Sequence, residues 1–408
     1  MNVLIVTQYF WPESFRINDL ADGLCKRGHR VTVYTGLPNY PGGRFFPGYS
    51  LAGPYTEERN GMRILRVPLV PRGGGGRLRL ALNYFSHAVC ATLLAALRCP
   101  REVDVVLVYE PSPVTIGLPA VLVKRLRRAP LLFWVQDLWP QSLEATGAVR
   151  SRTMLAAVER LVRWIYRRCD RVLVQSRGFA APVARQGVPE DRIVYFPNSA
   201  EPLYGPRVVE PAAPEHAELP AGFVVMFAGN IGAAQDFPTI LEAAGRLRGY
   251  DDIHWVVFGD GRMKEWVVRE VEARGLAGRV HLLGQRPAEA MPRFFALADA
   301  LLVTLRREPI FSFTIPSKIQ SYLACGRPVI AALDGEGARV VEEAGAGYAV
   351  PPEDPAALAA AVLRMRALDA AGRAAMGERG IEYFARCFDR NRLLDQLETL
   401  MRQVTGKA

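Results

Sequence analysis

The sequence predicts an α/β protein of two domains, each a doubly wound parallel sheet, and three observations predict it. A chain of 408 residues exceeds what one core holds and suffices for two domains of roughly 150–200 residues. Short apolar runs alternate with segments of helical period along most of its length, as right-handed βαβ units do. Six prolines between Pro197 and Pro220 interrupt that alternation and mark a linker. The expected division is a first Rossmann-like domain at 1–200, a linker at 201–221, a second such domain at 222–388 and a terminal segment at 389–408.

In chain order, Val3–Thr7 is too short an apolar run for the core of a signal peptide and reads as a buried first strand, so no export is expected. A helix over Ile17–Arg27 and strands at Arg30–Thr35 and Arg63–Val67 come next. Leu78–Leu97 is a helix about long enough to span a bilayer, yet Arg79, Asn83 and His87 stand four apart on one stripe, which weighs against a span. The alternation continues with a strand at Val103–Tyr109, a helix at Val114–Leu126 and strands at Leu131–Val135, Arg171–Gln175 and Arg192–Phe196. Between them the helix Thr153–Arg168 sets Leu155, Val158, Val162 and Ile165 opposite Arg160, Arg163 and Arg167. The second series has strands at Phe223–Ala228, His254–Phe258, Arg279–Leu283, Ala300–Thr304 and Pro328–Ala331. Its helices are Pro238–Leu247, Met263–Arg274, Glu289–Leu297, Ser317–Ala324 and Ala338–Glu343, and after Pro355 the pattern is helical up to an amphipathic Arg390–Arg402.

Half the residues are hydrophobic and 23% are charged, which excludes a disordered or fibrous chain. Six scattered cysteines without a C-x-x-C pair, and only five histidines, support neither a disulfide framework nor a zinc site, so a reducing cytoplasm is expected. Residues 1–200 carry 27 basic and 14 acidic side chains, a net +13, while the remainder carries −3. That asymmetry points to an anionic partner for the first half, although 46 of the 51 basic residues are arginine, a habit that raises charge anywhere. Nucleic acid is not expected, because the basic residues are dispersed and no recognition motif accompanies them. An anionic membrane surface is expected to meet the +13 half, with the face of Thr153–Arg168 as its contact and core packing as the alternative for that face.

In open α/β sheets ligands bind beyond the carboxyl ends of strands, so the loops there hold the candidates. The first such loop, TQYFWPESFRIND, lacks the glycine fingerprint of a nicotinamide enzyme and holds Glu13 and Arg16 near a helix start. They read as an anion contact or as a solvated pair. GLPNYPGGRFFPGY, with Asn39 and Tyr40, is too long and aromatic for a simple turn. FWVQDLWPQS places Gln136, Asp137 and Trp139 after a hydrophobic strand. Asp137 is a carboxylate where a crevice opens or a helix cap, and Trp139 offers a flat face or an apolar wall. In the second series FAGNIGAAQD holds Gly229, Asn230 and Gln235, and VVFGDGRMKE holds Gly259 and Gly261. Pro316, Ser317 and Lys318 open a helix, where backbone N–H groups, a hydroxyl and an ammonium converge on a place for a diphosphate.

At these residues the sequence resembles the GT-B glycosyltransferases, specifically glycosyltransferase family 4 and its branch containing N-acetyl-L-fucosamine transferases of bacterial surface-polysaccharide assembly. QYFWPE, NYPGG with PGY, LNYFSHA, QDLWPQS, AGNIG, GDG, PSKIQSYLACGRPVI and DGEGA succeed one another in the family's order over nearly the whole chain. The resemblance implies a nucleotide-sugar donor held by the second domain, an acceptor held by the first, a cleft between them, retention at the anomeric carbon, no obligatory metal, and a C-terminal helix at 389–408 crossing back to the first domain. The sequence departs from the family pattern at three places. Gln136 stands where many members have a histidine, Asn230 and Gln235 where an arginine and a lysine grip the diphosphate, and Ser321 where an acidic residue starts the helix. Gln136 can orient a sugar but cannot exchange protons at neutral pH.

The resulting expectation is a retaining transferase moving an N-acetylated or 6-deoxy hexosamine from a UDP-sugar, its substrate and not a resident cofactor, to a lipid-linked saccharide acceptor. It would work at the inner face of the cytoplasmic membrane. Lys318 would take the diphosphate together with Arg306 or Arg307, Glu13, Gln136 and Asp137 would serve catalysis, and Glu13, Arg16, Asn39, Tyr40 and Trp139 would meet the acceptor. The other donor contacts would be Gly229, Asn230, Gln235, Gly259, Gly261, Pro316, Ser317 and Ser321. Two further readings stand beside it: a nucleotide-sugar-binding subunit without catalysis, and a nucleotide-sugar 2-epimerase, which needs an acid/base pair.

Overall fold

The short Val, Ile and Leu runs are the strands of two separate sheets, because β-branched and apolar side chains suit a pleated surface covered on both faces. In the computed structural model, which describes residues 1–74, 76–145, 149 and 151–407, the chain divides into one unit of Met1–Asn198 with Arg390–Ala408 and a second of Ser199–Asp389.

The first unit has eight strands: β1 Asn2–Val6, β2 Arg30–Gly36, β3 Thr56–Arg59, β4 Met62–Val67, β5 Val105–Glu110, β6 Leu131–Val135, β7 Arg171–Val174 and β8 Ile193–Tyr195. They lie in the order β3-β4-β2-β1-β5-β6-β7-β8. All neighbours are parallel except β3 with β4, a hairpin pair whose TEER strand is too polar for sequence to reveal. The order reverses between β1 and β5, so the crevice of this sheet opens at their carboxyl ends.

Three helices flank that sheet near its switch point: α1 Arg16–Lys26, α2 Arg77–Arg98 and α3 Gly117–Arg127. α1 packs against the closing helix Arg390–Thr405, whose Leu393, Leu394, Leu397, Leu400 and Met401 complete the core formed with β1, β2 and β5. Gly23 permits that approach, since a Cβ there would lie 2.6 Å from a methyl of Leu394. Polar clasps surround it: Arg390 to Asp19 at 2.5 Å, Arg27 to Asp395 at 2.5 Å and His29 to Glu398 at 2.9 Å.

The helix Arg152–Tyr166 corrects one expectation. Val162 and Ile165 are fully buried, Ile165 lies against the start of α3 at Gly117, and Tyr166 packs edge-on to Phe133. The C-terminal part of its apolar face is therefore core.

The second unit has β9 Phe223–Ala228, β10 Ile253–Phe258, β11 Val280–Gly284, β12 Ala300–Thr304, β13 Val329–Ala332 and β14 Gly347–Val350, all parallel, in the order β11-β10-β9-β12-β13-β14. Its switch point lies between β9 and β12. Cores fill both faces, one around Trp255 and Phe237, the other around Tyr322 and Phe294. The proline-rich stretch 201–221 is not a free linker: it belongs to this unit. Tyr204 stacks on Phe295 at 6.1 Å between centroids, and the short helix Pro214–Glu218 holds Arg293 through Glu215 and Arg286 through Glu218.

Candidate active site

The switch point of the second sheet is built from two glycine turns and one lysine. Gly229 follows β9 and Gly259 follows β10, with φ of +143° and +146°. A Cβ on Gly259 would meet the Gly229 carbonyl oxygen at 1.9 Å, so the two turns touch backbone to backbone. The Gly229 amide donates to the Phe258 carbonyl at 2.9 Å, and a Cβ on Gly261 would meet the Ile231 carbonyl oxygen at 2.3 Å. The exposed Asn230 carboxamide lies over Gly232 and Gly261.

Lys318 reaches this turn from the first turn of the helix Ser317–Ala324, which Pro316 opens. It is not a surface lysine. Its Nζ donates to Gln235 Oε1 at 2.6 Å and sits 3.7 Å above the Phe227 ring, and its Cε would lie 2.5 Å from a Cβ on Gly229. Burial pushes its pKa down to about 7. Gln235 is itself fixed, because its carbonyl accepts from the Thr304 hydroxyl at the end of β12 at 2.5 Å. The expected companions are placed otherwise. The Arg306 guanidinium lies 3.7 Å from Glu353 and that of Arg307 4.0 Å from Asp334, so both cations already have acidic neighbours. The Ser321 hydroxyl donates back to the Ser317 carbonyl at 3.2 Å, and Ser317 is exposed at the helix start. Tyr322, not singled out from sequence, accepts the Ala228 amide at 3.2 Å and so supports the Gly229 turn from below.

In the first unit the structure gives Glu13 a bracing task. Its Oε1 accepts from the amides of Asn39 at 2.7 Å and Tyr40 at 2.8 Å, and its Oε2 from Phe10 at 3.1 Å. Burial raises its pKa to about 7 against these three donors. The loop after β1 is thereby tied to the loop after β2. Asn39 is buried with it, accepting from the Arg72 amide. Tyr40 is half-exposed beside the stacked Tyr9 and Phe15, and the Arg72 guanidinium lies 5.0 Å from its ring. Arg16 opens α1, its backbone bonded to the Tyr109 hydroxyl. Trp139 is buried and edge-on to Tyr84, so it is an apolar wall and not a presented flat face.

Gln136 and Asp137 come directly after β6 at the crevice. Gln136 Oε1 accepts from Asn198 at 2.8 Å and its backbone carbonyl from Gln175 at 2.7 Å. Asp137 accepts from the Ser142 hydroxyl and is part-buried, and burial raises its pKa against that bond. Its partner Ser142 stands in the first turn of the next helix, Gln141–Ala145. Beside Asp137 stands a residue that the sequence pattern alone does not single out. Glu110 closes β5, fully buried, and burial together with the nearby Asp137 carboxylate raises its pKa well above the carboxylate range, against a hydrogen bond from the Asp137 backbone. Burial at the switch point favours its protonated form. A signal for it exists, since a charged residue ends an otherwise apolar strand in VVLVYE, but the apolar run that defines the expected strand stops at Tyr109. Among the described residues no three His, Cys, Asp or Glu side chains gather as a metal site would require.

Comparison with known proteins agrees with this layout. Residues 14–199 match the Glycosyl transferase 4-like domain and residues 222–367 the Glycosyl transferases group 1 family. The "Putative colanic acid biosynthesis glycosyl transferase WcaI" of Escherichia coli K12 is 24% identical over 80% of this chain and 82% of its own length. The "Probable glycosyltransferase WbjE" of Pseudomonas aeruginosa is 27% identical over 58% of this chain and 59% of its own. Among solved structures, Anabaena Alr3699/HepE in complex with UDP superposes with a TM-score of 0.73 at 16% identity, covering 99% of this chain and 100% of that one. With one domain family on each half and the GT-B fold throughout, the chain belongs to the GT-B glycosyltransferases of the family 4 type.

Proposed function

We propose that the enzyme is a retaining, metal-independent transferase that moves an N-acetylated or 6-deoxy hexosamine from UDP to a polyprenyl-diphosphate-linked saccharide. The assembly it serves would be an O-antigen, capsule or exopolysaccharide, and its place the inner face of the cytoplasmic membrane. The observation that carries this reading is Lys318, an enclosed ammonium beside a glycine turn whose polar partner is a neutral amide. Such a group is a cost to the fold until an anion arrives. A donor diphosphate at the Gly229 turn supplies that anion, and the charge it gains as the glycosidic bond breaks is what the ammonium stabilises. The UDP seen in HepE and the polysaccharide named for WcaI support the donor and the setting.

In the step, the acceptor hydroxyl oxygen bonds to the anomeric carbon as the bond from that carbon to the diphosphate oxygen breaks, its electrons leaving with UDP. The acceptor proton passes to the departing phosphate oxygen on the same face, which gives retention and needs no histidine at position 136. Asp137 and Gln136 orient the reacting groups by hydrogen bonding.

The test is incubation with a panel of UDP-sugars and a short-chain prenyl-diphosphate saccharide in detergent, read by mass spectrometry. The expected result is a lipid product heavier by one sugar. Asp137→Asn should lower turnover by about 10²-fold or more while the UDP dissociation constant stays within about twofold. UDP binding without product for any donor would establish the binding-subunit reading instead, and an epimerised nucleotide sugar the 2-epimerase.

A further inference from the structure

Helix α2 is amphipathic the wrong way round. Its inner face carries Asn83 and His87, both buried, with Asn83 donating to the Val70 carbonyl at 2.6 Å and accepting from Gln8 at 2.8 Å. Its outer face carries Leu78, Leu82, Phe85, Val89, Leu93 and Leu97, spaced by three or four residues, with exposures of 75, 44, 68, 38, 72 and 84%. The stripe is roughly 29 Å long at 1.5 Å per residue. Exposed apolar surface of that extent on one element marks an interaction site.

The charges around it identify the partner. No acidic residue stands between Glu58 and Glu102, a stretch with eight arginines, or between Glu110 and Asp137, which holds Lys124, Arg125, Arg127 and Arg128. α3 packs beside α2, and Arg127 donates to the Ala96 carbonyl at 2.9 Å, which brings the basic end of α3 to the end of the stripe. Next to Arg127, Leu126 is exposed between the exposed Arg125 and Arg128. An apolar strip edged by cations with no carboxylate repels neither the hydrocarbon boundary nor the phosphates of an anionic leaflet. A second copy of the same surface would set arginine against arginine.

We infer that the outer face of α2, with the adjoining end of α3, lies in the interfacial region of an anionic bilayer, parallel to its plane. α2 is long and apolar enough to cross a membrane, but the hydrogen bonds of Asn83 and of the Ala91 carbonyl to Tyr34, with His87 buried between them, hold its inner face to the first unit, so it lies on the membrane and does not span it. This face, not that of Arg152–Tyr166, is the contact. The inference rests on the proposed lipid-linked acceptor only for its purpose, and its test involves no sugar.

The experiment is co-sedimentation of the full chain with vesicles of phosphatidylcholine and phosphatidylglycerol at 0.1 M salt, with pure phosphatidylcholine as comparison. Binding to the anionic vesicles, weaker to the neutral ones, is expected. Phe85→Ser with Leu93→Ser, at two exposed positions, should weaken it by about tenfold or more, and Arg125→Ala with Arg128→Ala should weaken it only for anionic vesicles. Melting curves and unchanged UDP binding show that the variants fold. Leu93→Trp is the second measurement, and its added fluorescence should shift to the blue on vesicles. Equal binding by wild type and the serine variant overturns the inference. So does a wild type that ignores vesicles and sediments as a dimer that the serine variant dissolves. Transfer to the detergent-soluble acceptor is read without vesicles, so failure there is a separate result.

Discussion

Under the proposed function, Lys318 is where a single residue ties stability to substrate. Its pKa lies near 7 in the folded protein against an ordinary 10.5, so between those values the unfolded chain holds more protons than the native one. The penalty of enclosing the ammonium is present below pH 7 and is relieved as pH rises. A bound diphosphate reverses this by favouring the charged form. Binding of UDP should therefore take up a proton above pH 7, and affinity should fall by up to about tenfold per pH unit from 7 to 9, as read by calorimetry in two buffers of different ionisation heat. Lys318→Met should flatten that profile and weaken UDP binding by a charge-assisted hydrogen bond of roughly 1.5–3 kcal/mol. A wild-type affinity independent of pH would contradict the assignment. Sequence makes this lysine conspicuous, because no other stands between Lys264 and Lys407. It does not show the enclosure, which arises from Gly229 and Phe227 on a distant strand. Glu13 is legible as a loop carboxylate but not as a brace, since its partners Asn39 and Tyr40 come from the next crossover.

At the scale of elements, the closing helix is the one on which the first core depends. Leu397 and Met401 are fully buried between α1 and the sheet, so Leu397→Ala should cost about 2–5 kcal/mol and lower the melting temperature of the first unit, followed by circular dichroism. A loss below about 1 kcal/mol would mean that the helix is only loosely seated. Elements with strong period are readable: Leu131–Val135, Phe223–Ala228, Ala300–Thr304 and Ser317–Ala324 have the expected bounds. The failures have physical causes. β3 is an edge strand of charged residues, and β14 is four residues of partial burial with no alternation. The six prolines between Pro197 and Pro220 signal irregular chain correctly, but irregular chain can still be packed, as Tyr204 and Glu215 are.

For the whole molecule, the two switch points give each unit its own ligand chemistry: cationic and glycine-lined in the second, carboxyl-rich and aromatic in the first. UDP should therefore stabilise the second unit selectively. At about 100 times the dissociation constant the increment is roughly 2.7 kcal/mol, visible in calorimetry as an upward shift of one transition. A uniform shift of all transitions would show that the units unfold together.

The return of Arg390–Thr405 to the first unit also has a consequence for biosynthesis. The ribosome completes all of 199–389 before it makes the last helix of the body that began at Met1. Throughout that interval the groove on α1 beside Gly23 stands open, with Ile17, Leu20 and Leu24 waiting for leucines not yet translated. The nascent chain thus passes through a stage in which its later half can be finished and its earlier half cannot. A chaperone that shields apolar surface on emerging chains has its natural client there, and a ribosome stalled between residues 389 and 405 would leave the second unit complete and the first unsealed.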